Sequence, residues 1–256
     1  MKLRFGLASR WSVLVAIALL VVSCTTPTTE APVADSAQEA PVVAAEPTAT
    51  ETDLTPGLPV LNGKATAEIQ IGNRTITVEL DGEKAPITAG NFVDLAEKGI
   101  YDGTVFHRVV RSPQPFVAQG GDPQSTDPNV PTSRLGTGGY IDPATGQERM
   151  IPLEILPTGS NEIVYGKTLP EAKIDAPPEL DHKRGAIAMA RSGVNTASSQ
   201  FYITLADVAF LDGSYAVFGY VTDGMDVVDD IELGDVIDSV RITSGSENLV
   251  VPDAAQ

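Results

Sequence analysis

The chain has 256 residues, 17 of them Lys or Arg and 34 Asp or Glu, for a formal net charge of −17. So acidic a composition excludes nucleic acid as a partner, because phosphate recognition runs on clustered Lys and Arg, and it argues equally against a basic patch for anionic lipid. One cysteine and two histidines leave no disulfide framework and too few ligands for an ordinary zinc site.

The first 23 residues read as an export signal. Lys2, Arg4 and Arg10 form a basic start, and Val13 to Val22 is wholly apolar, long enough for a signal core and short for a membrane span. The run ends in Val21-Val22-Ser23-Cys24, which resembles the bacterial lipoprotein box. Cleavage before Cys24 and acylation of its thiol would anchor the chain stably, since two or more acyl chains hold where one does not. The sequence therefore predicts a lipid-anchored protein on the extracytoplasmic face of the cell membrane. Loss of three basic residues and no acid takes its formal charge from −17 to −20.

Residues 24–63 then read as an acidic tether of Thr, Pro, Ala, Val and Glu. Its six acids face no Lys or Arg before Lys64, and so little apolar surface cannot offset the entropy of ordering. Residues 64–251 amount to one domain, with a short tail at 252–256. Thr66–Ile71 and Thr75–Leu80 alternate across Gly72-Asn73, which predicts a hairpin. Pro86 to Lys98 carries Phe92, Leu95 and Ala96 at helical spacing, with Gly99 as its stop. Strands are predicted over Thr104–Val110, Phe116–Gln119, Gly185–Ala190, Gln200–Leu205, Ala216–Val221 and Val236–Thr243, and a short helix over Met225–Ile231. Many short strands and few helices point to an antiparallel barrel or sandwich. Residues 122–181, rich in Pro and Gly, read as a long loop that either serves function or simply packs on the barrel.

Several chemistries find no support. No Gly-x-Ser-x-Gly elbow is present, and turn chemistry accounts for Ser198-Ser199. Gly136-Thr137-Gly138-Gly139 lacks a phosphate-loop lysine and reads as a tight turn or a close backbone approach. His107 and His182 read as structural. Arg108, inside a strand pattern, reads equally as a snorkelling surface residue or a groove donor.

Seven ordered segments carry a family resemblance. They are Phe106-His107-Arg108, Phe116 through Asp122, Gly136 through Gly139, Arg184 through Arg191, Ser199 through Ile203, Phe210 through Gly213, and Val217-Phe218-Gly219. Over about Ala65 to Gly245 the chain resembles the cyclophilins, the cyclosporin-type peptidyl-prolyl cis–trans isomerases. The resemblance implies a mainly β fold, a closed eight-stranded antiparallel barrel capped by two α-helices. It implies a monomeric folding assistant without cofactor or metal, acting on unfolded or loop-exposed proline-containing polypeptides. It makes Arg108, Phe116 and Gln119 catalytic. Val117, Tyr202 and Leu211 complete a proline pocket with Phe116, while the backbone around Ala190 and Arg191 holds the substrate main chain. Gln200, Phe210 and Tyr215 complete the substrate-binding set.

The chain departs from the family pattern at named points. Arg111-Ser112-Pro113-Gln114-Pro115 replaces a two-residue turn, and Val117 stands where methionine is common. Phe210 replaces a frequent tryptophan, Tyr215 a frequent histidine and Arg191 a frequent asparagine. Tyr140 to Leu180 is longer than in compact members. These departures leave open a rival reading as a weakly catalytic peptide-binding module or a chaperone.

Overall fold

A computed structural model describes residues 57–252. The leader, Cys24, the tether up to residue 56 and the last four residues lie outside the described residues. In chain order the strands and helices are β1 (Val60–Leu61), β2 (Lys64–Ile71), β3 (Arg74–Asp81), α1 (Pro86–Glu97), β4 (Arg108–Val109) and β5 (Val117–Gly120). They continue with β6 (Glu154–Ile155), β7 (Val164–Tyr165), β8 (Ala186–Met189), β9 (Phe201–Thr204), β10 (Val217–Asp223), α2 (Met225–Asp230), β11 (Ser239–Ser244) and β12 (Leu249–Val250). None of the described helices is long and apolar enough to cross a membrane.

Eight strands form one antiparallel sheet in the order β11-β2-β3-β10-β8-β9-β5-β4. It is a curled, open half-barrel, and this corrects the expectation of a closed barrel. The physical reason lies at the edges, where β4 holds only two residues and never pairs with β11. The predicted strand over Thr104–Val110 spends its first half differently. Phe106 donates its N–H to the Asp235 carbonyl and Ile237 donates to that of Thr104, joining two connecting segments by an isolated bridge, Val105 to Val236.

The local readings hold where periodicity is strong. β2 and β3 form an unbroken hairpin from Lys64–Asp81 to Ile71–Arg74 around Gly72-Asn73, with Gly72 at φ +59°. Their inward residues Ala67, Ile69, Ile76, Val78 and Leu80 are fully buried, as a one-faced strand pattern requires. Helix α1 starts on Pro86, whose missing N–H costs nothing at a first-turn position, and stops at Gly99, φ +68°. Phe92 on this helix packs on Tyr101, Phe201 and Phe218 at centroid distances of 4.9, 5.4 and 5.2 Å. These aromatics are the centre of the core.

The compact region begins earlier than the expected boundary at Lys64. Val60 and Leu61 pair with Val250 and Leu249, and Leu61 is fully buried. This segment crosses α1 at Gly90, where any Cβ would lie 2.7 Å from the Pro59 carbonyl oxygen. A two-residue strand carries no readable period, so its sequence looks like tether.

Candidate functional site

Strand pairing assembles the site. Arg108 on β4 sits directly opposite Gln119 on β5, and Gln119 sits opposite Tyr202 on β9. Val117, Gln119 and Tyr202 thus share the outer face, because alternate residues of a strand point the same way. Ala118, Phe201 and Ile203 take the inner face and are fully buried. Phe116 immediately precedes β5 and is half-buried. The result is a groove of about 560 Å³ lined by Arg108, Phe116, Val117, Gln119, Tyr202 and Leu211 together with Gln200, Ala190, Arg191 and Tyr215.

The polar residues of the groove are linked in one direction. The Gly138 carbonyl can only accept, and it takes a hydrogen bond from Gln200 Nε2 at 2.7 Å. The Gln200 amide oxygen is thereby turned toward Gln119 Nε2, 3.1 Å away, and the Gln119 oxygen accepts from Arg108 at 3.3 Å. The Gly138 end of this chain is fixed by buried Asp122, whose carboxylate accepts from the N–H groups of Gln124, Gly136 and Gly138. A side chain at position 138 would put its Cβ 2.1 Å from Gln124 Nε2. The glycine-rich stretch is therefore a close backbone approach. The Arg108 guanidinium also lies 5.4 Å from the Phe116 ring centroid, a cation–π distance.

A second chain holds the pocket wall. Tyr202 Oη lies 3.0 Å from His182 Nε2, and His182 Nδ1 lies 2.8 Å from Asp212. Burial lowers the His182 pKa despite the neighbouring Asp212 carboxylate, and burial raises that of Tyr202. A neutral imidazole then donates from Nδ1 to Asp212 and accepts the Tyr202 hydroxyl proton at Nε2. His182 is structural in this sense. His107 backs the same loop as Asp122, with a Cβ at Gly136 lying 3.1 Å from its ring, and burial lowers its pKa too.

The structure places every expected groove residue on the groove except Phe210. On the 3-10 turn Ala209–Leu211 successive side chains diverge by about a third of a turn, so Leu211 enters the groove while Phe210 stays 74% exposed. Phe210 instead stacks on Phe116 at 5.6 Å. Arg191 lies 4.4 Å from the Tyr215 ring centroid and donates to the Ser214 carbonyl. Thr137, Glu148, Met150, Ser192, Thr196 and Ser198 also line the groove and were not singled out for it by sequence. Among the described residues no group of three His, Cys, Asp or Glu could hold a metal ion.

Residues 66–247 match the family described as cyclophilin type peptidyl-prolyl cis-trans isomerase. The chain is 41% identical over 205 residues to a Synechocystis protein bearing the name of a thylakoid lumen peptidyl-prolyl cis-trans isomerase, covering 75% of this chain and 50% of that one. It is 37% identical over 217 residues to a chloroplastic peptidyl-prolyl cis-trans isomerase of Arabidopsis thaliana, covering 76% of this chain and 46% of the relative. The chain thus spans about half the length of these two relatives. A crystal structure of a Cryptosporidium parvum cyclophilin type isomerase superposes with a TM-score of 0.51 at 25% identity, covering 71% of this chain and 98% of that one. This chain belongs to the cyclophilin family.

Proposed function

We propose that the chain is a peptidyl-prolyl cis–trans isomerase that rotates X–Pro bonds in exported, unfolded or loop-exposed polypeptides. The observation that carries this reading is the permanently charged Arg108 beside an apolar wall of Phe116, Val117, Tyr202 and Leu211. An X–Pro bond turns slowly because amide resonance sets a barrier of about 18–20 kcal/mol. A catalyst needs only to bind the twisted amide better than either planar form. Twisting localises a lone pair on the prolyl nitrogen, and a guanidinium N–H is a strong, geometrically defined donor to it. The apolar wall holds the ring, and Gln119 steadies the adjoining main chain. No bond to the protein forms and no proton has to move, so the reaction needs neither nucleophile nor cofactor.

Cleavage after residue 23, acylation of Cys24 and an extended acidic tether up to the domain complete the reading. The basic start, the ten-residue apolar run and the Ser23-Cys24 pair support it, and the thylakoid lumen in one relative's name is consistent with an exported enzyme. The domain acts as a monomer at the extracytoplasmic membrane face. Mass spectrometry of the native protein should find acylated Cys24 at the N-terminus. An unmodified thiol or a retained leader would remove the anchor from the account.

A weakly catalytic binding module is the alternative, favoured by Phe210 standing outside the groove. Exchange NMR on a short X–Pro peptide separates the two. An enzyme brings cis and trans signals into exchange at substoichiometric concentration, while a binder only shifts and saturates them.

A further inference from the structure

The groove extends past the proline pocket onto a segment that only the long 122–181 region supplies. Residues 148–151 run extended, held by the Arg149 N–H to the Tyr140 carbonyl and the Ile151 N–H to the Ala197 carbonyl, 2.9 and 2.8 Å. Alternation then divides their side chains. Arg149 turns inward to pair with Asp94 on α1 at 2.6 Å, and Ile151 is 1% exposed. Glu148 and Met150 turn outward and both line the groove, Met150 with 48% of its surface exposed.

Glu148 is the one acid among the groove-lining residues. Its carboxylate lies against Gly139, where a Cβ would come within 1.9 Å of Oε1 and 2.6 Å of the Ser198 hydroxyl. This is the end of the groove marked by Gly138 and Gln200. The arginines nearby are engaged elsewhere, Arg149 with Asp94, Arg108 with Gln119, and Arg191 with Ser214 and Tyr215. No cation pairs with Glu148 among the described residues. An apolar methionine beside an unpaired carboxylate matches the chemistry of a lysine or arginine side chain, a long apolar stem with a charged tip.

We infer that Glu148 and Met150 form a specificity site for a basic residue near the isomerised proline, so that the preferred substrates are cationic proline segments. This deepens the proposed isomerase reading and rests on it. The acidic surface of the chain acts in the same sense, drawing basic polypeptides toward the groove. The test is a peptide series on the full chain. A single Lys, Gln or Glu is moved from three residues before the proline to three after it, and kcat/KM is measured by exchange NMR.

At one position the Lys peptide should exceed the Glu peptide by about three- to tenfold at low salt, the range for an exposed charge pair plus the opposing repulsion. The ratio should shrink at 0.5 M salt, as screening requires, and approach one in Glu148→Gln. Taking the ratio within each protein cancels any general loss of activity in the variant. Turnover of all peptides without a Lys preference at any position, or a preference that survives Glu148→Gln, would overturn the specificity site alone. Turnover of none would overturn the isomerase reading beneath it.

Discussion

At the scale of the residue, the hydrogen-bond direction in the groove is set far from the reacting bond. Because the Gly138 carbonyl has no proton to give, Gln200 must present its NH₂ there, which turns each later amide the same way. Gln200→Glu keeps the size of the side chain and removes its donor. It should lower kcat/KM by about tenfold, the worth of one hydrogen bond of about 1.5 kcal/mol, with little change in thermal midpoint. Wild-type kinetics in that variant would show that the amide chain does not order the site. Arg108, Phe116 and Gln119 were legible in sequence through the motifs that carry the family resemblance, since β4 has only two residues and Phe116 precedes β5. Glu148 and Met150 were not, because the segment that carries them has no period of its own. Their face is set by a bridge to Ala197 and by the Arg149–Asp94 pair.

At the scale of the element, the long insert is tied to the scaffold through a helix end. The Ala85 side chain makes no cap for α1. Buried Glu154 on β6 accepts instead from the N–H groups of Ile87 and Thr88, at 3.1 and 2.8 Å. Burial pushes the Glu154 carboxyl up to about 7 from an ordinary value near 4.5, against those hydrogen bonds. A raised folded-state pKa means that the folded chain binds more protons than the unfolded chain between those values. Its contribution to stability is present below about 4.5 and lost as pH rises through about 7, in all about 3 kcal/mol. Denaturant midpoints measured from pH 4.5 to 7.5 should show this fall relative to Glu154→Gln, which has no carboxyl to titrate. Identical pH profiles for the two proteins would refute it. The depressed His182 works in the opposite sense, losing stability as pH falls below about 6.5, so the comparison must be between variants rather than within one curve. In the separate two-stranded pair of β1 with β12, Leu61→Ala should destabilise by about 2–5 kcal/mol, as for a fully buried leucine. A midpoint within error of the parent would return β1 to the tether. The hairpin and both helices could be read from periodicity and stop signals. The edges could not, since alternation marks a strand without saying whether its outer side finds a partner.

At the scale of the whole molecule, the domain presents its groove on one side of an open sheet. The family and the main groove residues were visible in sequence because seven short segments keep order and spacing. The carboxylate clamp on α1 was invisible because Glu154 lies 66 residues from Thr88, and nothing local announces the pairing. The account rests on Arg108 acting on the twisted bond rather than on the ground state. The most direct measurement is therefore exchange NMR of one X–Pro peptide with the full chain and with Arg108→Ala, recording turnover and affinity together. The account predicts a fall in kcat of about 10²–10³-fold, the usual cost of one donor aimed at developing charge, with peptide affinity kept within a few-fold. An equal loss of affinity, or an Arg108→Ala protein that still accelerates exchange like the parent, would contradict it.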